Sequence, residues 1–158
     1  MGIQTTCIGA YPKPDYINIG NWSESDCAAV QRIMHMCCGY PGHLDDENYL
    51  KADPEIYGLL ARALDESSVD QASIEDAHRH NEFELLDRFI NSTVIPGSVA
   101  IASSRVETTE EIADRLSAAL EHIDRKRLVA APDCGLMMVD RDLAMRKLGN
   151  LCEAAAMV

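Results

Sequence analysis

From about residue 28 onward, short uninterrupted apolar runs alternate with longer stretches that carry an apolar stripe. Short unbroken runs suit strands buried on both faces; stripes at three- and four-residue spacing suit the helices that cover them. "AVQRIMHMC" (29–37) predicts a first buried strand. "DPEIYGLLARALDES" predicts a helix capped by Asp53, with Pro54 in its first turn and Ile56, Leu59, Leu60, Ala63 and Leu64 on one face. "VDQASIE" (69–75) reads as a strand, and "NEFELLDRFI" as a helix capped by Asn81 with Leu85, Leu86 and Phe89 together. "SVAIASS" (98–104) predicts the next strand. In "TTEEIADRLSAALEHI", Thr108 and Glu111 have capping-box spacing, and Ile112, Leu116, Ala119, Leu120 and Ile123 form the buried face. "RLVAAPDC" predicts a strand ending at Cys134, and "DRDLAMRKLGNLCEAAA" a closing helix capped by Asp140. This alternation predicts an α/β fold, a parallel sheet covered by helices with right-handed connections.

In such folds polar chemistry collects at the C-terminal ends of the strands. His35 and Cys37 end the first of these strands, Glu75 the second, Ser103 and Ser104 the third and Cys134 the fourth. The segment "NIGNWSESDCAA" breaks the rhythm: residues 18–29 are polar and unpatterned, and read as a linker or seam. The rest of residues 1–158 is consistent with a single domain.

Charge narrows the partners. The formal net charge of -12 disfavours a phosphate backbone or an anionic membrane surface, so no nucleic acid and no membrane are expected. No run approaches the roughly 20 apolar residues of a spanning helix. "MGIQTTCIGAYPKP" lacks a basic stretch followed by a long apolar one, so a cytoplasmic protein is expected. The six cysteines lack the dense spacing of a disulfide scaffold, and their thiols are free for metal or catalysis.

His35, Cys37, Glu75 and Cys134 make a set of one imidazole, two thiols and one carboxylate, all ordinary zinc ligands and enough for a tetrahedron. Their spacing is unlike a zinc finger and fits a site assembled from three strand ends. Zinc in such a site would lower the pKa of a bound substrate thiol. The competing reading is that the cysteines are small buried hydrophobes. Cys38 is expected to face away and pack. His78 and His80 are near enough to Glu75 to replace a ligand, or line the mouth, or are solvated. Asp45, Asp46 and Glu47 read as a solvated acidic loop, without calcium-loop spacing. Arg105 suits either a substrate carboxylate or a surface ion pair. Cys7, Cys27 and Cys152 carry no pattern.

Taken together, "MHMCCGYPGH", "SIEDAHRHNEFELL", "VAIASSRVETTEEI" and "LVAAPDCGL" resemble the C-terminal catalytic domain of cobalamin-independent methionine synthase and its stand-alone paralogues. "TTCIGAYPKP" resembles the opening strand and loop of that domain. The resemblance covers roughly residues 3–17 and 30–156. It implies a (β/α)8 barrel of TIM-barrel type with zinc at its C-terminal mouth, held by His35, Cys37, Glu75 and Cys134. It implies transfer of a methyl group from a methyl-tetrahydrofolate to the thiolate of homocysteine. It places Ile8, Gly9 and Ala10 beside the homocysteine; Ser103 and Arg105, at the end of the third strand, are the further candidates for substrate binding.

Three departures accompany the resemblance. The family's Ile-Gly-Ser loop reads Ile8, Gly9, Ala10 here, without the hydroxyl. A family histidine that helps protonate the leaving folate corresponds to Ala102. A full barrel needs about 250 residues, so an incomplete half barrel of about four to five strands is expected, with the seam at 18–29 in place of the middle βα units. Such a sheet has unpaired edges, which predicts self-association to complete the barrel, or marginal stability. Besides the methyltransferase, two readings stay open: another zinc-dependent thiol alkyltransferase, of the kind in which coenzyme M attacks an epoxide, and a non-catalytic zinc-binding relic or subunit.

Overall fold

The computed structural model describes residues 2–6, 32–46, 48–53 and 55–158. Ile8, Gly9 and Ala10, the 18–29 seam, Cys7, Cys27, Glu47 and Pro54 lie outside the described residues. Five strands, β1 (Gln4–Thr5), β2 (Ile33–Met36), β3 (Gln71–Ile74), β4 (Thr93–Val99) and β5 (Val129–Pro132), form one sheet in the order β1-β5-β4-β3-β2. Every pairing is parallel. Among the described residues, three α-helices connect or close the strands: α1 (Glu55–Asp65), α2 (Thr109–Ala119) and α3 (Arg141–Met157). The first strand thus pairs with the last, as in a barrel where the ring closes, while β2 forms the opposite edge among the described residues. The architecture is an open, partial α/β barrel. No described helix is long and apolar enough to cross a membrane.

Local sequence accounts for most of the elements. Thr108 and Glu111 form the expected reciprocal capping box at α2. The Asp140 side chain accepts from Leu143 N at 2.8 Å and caps α3, and Asp53 accepts from Glu55 N at 2.9 Å ahead of α1. Ile112, Leu116, Ala119 and Ile123 are buried against Val94, Val99, Leu128 and Ala130, and form the middle of the core.

Three elements differ from the sequence reading. "NEFELLDRFI" makes a 3-10 helix over Phe83–Arg88, and Asn81 does not cap it: its side chain donates to Glu75 O and Asp76 Oδ1. The third strand begins at Thr93 and ends at Val99, several residues before the predicted 98–104. Pro96 masks it: proline is tolerated because the ladder to β5 slips beside it, between Gly97 and Val99. On α1, Tyr57, Ala61 and Asp65 are buried, whereas Ile56, Leu59 and Leu60 of the predicted stripe are exposed. Ile33 and Met34 of β2 are exposed as well.

Asp65 closes α1 by a long-range clamp. Its buried carboxylate accepts from the backbone N–H groups of Ile90, Asn91 and Ser92 at 2.8–3.2 Å, fixing the chain as it enters β4. Burial alone would raise its pKa, but the N–H donors of Ser92, Asn91 and Ile90 outweigh burial and hold it below the usual aspartate value. A depressed folded-state pKa gives stability that is complete above the unfolded value of about 3.9 and is lost as pH falls through the lower folded value. Asp65→Asn is therefore expected to cost about 1–3 kcal/mol at neutral pH, with the gap to wild type narrowing below about pH 4. Urea denaturation at pH 7 and pH 3 checks this; a gap that does not change with pH contradicts it.

Candidate functional site

The C-terminal ends of the strands open onto a cleft of about 1070 Å³. Its walls include Lys51 from the loop after β2, His78, Arg79 and His80 from the loop after β3, and Ala102, Ser103 and Arg105 from the loop after β4. Asp45 straps two of these loops together. Its backbone N–H donates to Ala102 O at 2.9 Å and its carboxylate accepts from Ser104 N at 2.7 Å. A positive φ of 62° at Asp45 makes that turn, a conformation aspartate tolerates. Below the loop, fully buried Lys147 on α3 donates to Glu107 at 2.9 Å, and Glu107 accepts from Ala100 N at 2.9 Å. The loop that carries Ser103 and Arg105 is anchored on both sides.

His35 lies on β2 in register with Ser73 on β3. Its Nδ1 shares a 2.9 Å hydrogen bond with the Ser73 hydroxyl, while its Nε2 is buried with no hydrogen-bond partner. Burial lowers the His35 pKa, against the pull of Asp133, and favours the neutral ring. With the proton on Nδ1, Nε2 keeps its lone pair, the arrangement that metal-ligating histidines adopt. Glu75, just past β3, is also buried. Its Oε2 accepts from Cys38 N at 3.0 Å, and its Oε1 makes no hydrogen bond but is ion-paired with Lys51. A buried carboxylate demands a positive partner, and the Lys51 ammonium meets that demand. Cys37 is exposed at the end of β2, and Cys134 is half-buried just past β5. Both lie close enough to the Tyr40 phenol for their charge to bear on it. Burial, and then Asp133, Cys134 and Cys37, push that phenol well above the ordinary tyrosine range.

Among the described residues, one group brings three potential ligand atoms within 4.8 Å of one another, and so could hold a metal ion: Glu75, His78 and Asp133. Glu75 belongs to the set expected from sequence; His35, Cys37 and Cys134 are not part of this tight group. His78 and Asp133 are heavily committed elsewhere. Asp133, fully buried, accepts from Asp76 N, Ala77 N and His78 N at 2.8 Å each, and from His78 Nδ1 at 2.6 Å. His78 Nε2 accepts from Ala102 N at 3.0 Å. Both imidazole nitrogens are thus engaged, and His78 is a buried brace between the loops after β3 and β4. His80 is the more exposed of the pair, donating from Nδ1 to Asp76 O at 2.9 Å. A buried aspartate after a strand gives no periodic signal, so Asp133 was not legible; the unbroken run "PDC" only placed it at the strand end.

The remaining expectations fall as follows. Cys38 is buried in the core and donates to the Tyr57 hydroxyl at 3.3 Å, as a packing residue should. Ser103 and Arg105 line the cleft, but the Arg105 guanidinium is paired with Glu111. Cys152 is exposed on α3, away from the site.

Residues 52–157 match the family model described as the catalytic domain of cobalamin-independent synthase. Glu75 and Cys134 fall inside that span; His35 and Cys37 precede it. The chain is 34% identical over 103 residues to a methionine synthase of Thermococcus kodakarensis, covering 65% of this chain and 31% of the relative. It is 28% identical over 128 residues to a methionine synthase of Saccharolobus islandicus, covering 80% of this chain and 34% of the relative. The solved structure of a B12-independent methionine synthase from Shewanella sp. W3-18-1, in complex with selenomethionine, superposes with a TM-score of 0.65 at 26% identity. It covers 80% of this chain and 38% of that one. The chain spans about a third of the length of these relatives. On the span of the family match, supported by the structural likeness, the chain belongs to the cobalamin-independent synthase catalytic-domain family.

Proposed function

We propose that this chain carries the metal centre of a zinc-dependent thiol methyltransferase of the cobalamin-independent methionine synthase type, acting in the cytoplasm on a homocysteine-like thiol with a methyl-tetrahydrofolate-like donor. The observation that carries the reading is the buried Nε2 of His35, which has no hydrogen-bond partner, on the strand next to the one that ends at the buried, Lys51-paired carboxylate of Glu75. His35, Cys37, Glu75 and Cys134 would hold the ion, a donor set of the tetrahedral zinc kind. Zinc bound there lowers the pKa of a substrate thiol, so that the sulfur is held as a nucleophilic thiolate. The Glu75–His78–Asp133 group suits this role less well, because Asp133 and His78 already spend their lone pairs and protons on each other and on backbone N–H groups. Ser103 and Arg105 face the cleft where the polar part of a substrate would rest. Lys51 must leave Glu75 when a cation binds, and its position in the cleft wall suits it to meet a substrate carboxylate instead.

One observation favours a second reading, a thiol alkyltransferase with another donor. Ala102 stands at the position of the family's proton-donating histidine, and His78, which abuts it, has both nitrogens engaged. The third reading is a subunit or relic that needs more strands. We also propose self-association to complete the barrel, supported by the exposed apolar residues Ile33 and Met34 on β2 and Leu59 on α1. The test is methyl transfer from methyl-tetrahydrofolate to homocysteine by the zinc-loaded chain, with its solution mass measured by light scattering. Methionine formed by wild type and abolished in Cys134→Ala is expected. Turnover only with a different alkyl donor selects the second reading. Turnover only on adding a partner chain selects the third.

A further inference from the structure

Three polar groups at the ends of β2 and β3 converge on one hydroxyl from α1. Tyr57 is buried, and its hydroxyl donates to Met36 O at 3.1 Å while accepting from Glu75 N at 3.2 Å and from the Cys38 thiol at 3.3 Å. One donated and two accepted bonds are the full capacity of a phenol. Met36 and Cys38 flank Cys37 in the chain, and the Cys38 N–H in turn holds Glu75 Oε2 at 3.0 Å. A single side chain therefore holds the carbonyl before Cys37, the thiol after it, the backbone of Glu75 and, through Cys38, the Glu75 carboxylate. Packing alone does not ask for the hydroxyl, since phenylalanine would fill nearly the same space. The apolar residues Ile56, Leu59 and Leu60 of the same helix point outward, and α1 packs inward through Tyr57 and Ala61, with Leu64 partly buried beside them.

We propose that Tyr57 is a positioning residue for the metal ligands Cys37 and Glu75, an inference that rests on the metal-binding reading above. Its hydroxyl sets the distance between the ends of β2 and β3, and so the separation of one thiolate from one carboxylate. Groups that orient ligands without touching the ion typically govern about 10- to 100-fold in metal affinity.

The experiment titrates the full chain with Co²⁺, reading its visible bands, and measures zinc affinity by competition, alongside thermal unfolding without metal. Tyr57→Phe is compared with Asp65→Asn, which loosens the opposite end of the sheet. Tyr57→Phe is expected to bind both ions about 10- to 100-fold more weakly, with altered Co²⁺ band intensities, while Asp65→Asn binds as wild type does despite its lower stability. Unchanged affinity and spectrum in Tyr57→Phe overturn the inference and leave the metal reading standing. Equal weakening in Asp65→Asn also overturns it, by assigning the effect to stability. A wild-type chain that binds neither ion overturns the metal reading, and this inference with it. Should Tyr57→Phe not fold, Cys38→Ala and Cys38→Ser probe the same hub: alanine weakens binding several-fold and serine restores it, and identical binding by the two overturns the inference.

Discussion

Alanine at Cys37 or at Cys134 is expected to strip the chain of zinc almost completely. Four-ligand sites in small zinc domains are worth roughly 10–16 kcal/mol in apparent binding. One thiolate in four then contributes about 3–4 kcal/mol, or two to three orders of magnitude in affinity. Cys37 is exposed, so the truncation there costs the fold little, and the metal-free protein should unfold at nearly the wild-type temperature. Glu75→Gln is expected to fall between wild type and the cysteine variants. Its single amide oxygen either faces the ion or accepts from Cys38 N, where the carboxylate does both with two oxygens, and the charge that Lys51 or a metal neutralises is gone. Zinc competition titrations on the three variants check the order. Equal retention in all three would remove the assignment of these ligands.

The largest loss of stability is expected from the meeting of β4 and β5. A Cβ on Gly97 would overlap the Asp133 carboxylate and lie against its backbone. Asp133 has no room to retreat, because three N–H groups and an imidazole hold it and its exposure is 0%. Gly97→Ala must therefore separate two central strands or break the brace. Asp133→Ala leaves those N–H groups and the His78 ring buried without an acceptor. Each is expected to cost about 3–5 kcal/mol, a fall in unfolding temperature of roughly 6–20 °C for a chain of this size. Urea denaturation measures it; a loss under about 1 kcal/mol in Asp133→Ala would mean the brace is optional.

What the sequence disclosed, and what it withheld, follow the range of the forces involved. The capping box of Thr108 and Glu111 and the cap at Asp140 are local, and both stand as read. The rule that placed polar residues at strand ends stands for His35, Glu75 and Cys134, whereas Ser103 and Ser104 lie in the loop beyond β4, which ends at Val99. The α1 stripe holds only at Leu64, because burial is a tertiary property. Ile56, Leu59 and Leu60 have helical spacing but face away from the sheet, and Tyr57 turns inward for its hydroxyl as much as for its ring. The start of β4 was hidden by Pro96, which a slipped ladder accommodates. The His78–Asp133 brace joins residues 55 apart, and nothing periodic announces it. Among the described residues β2 ends the sheet, in accord with the four to five strands expected of an incomplete barrel.

The central claim is that the ion is held by sulfur as well as by nitrogen and oxygen. Zinc X-ray absorption on the purified full chain tests it most directly, together with metal content per chain. The account predicts about one zinc per chain with a shell of two sulfurs near 2.3 Å and two lighter atoms near 2.0–2.1 Å. A shell of nitrogen and oxygen alone would place the metal on Glu75, His78 and Asp133. Background zinc in folded protein would mean that the strand ends hold no ion at all.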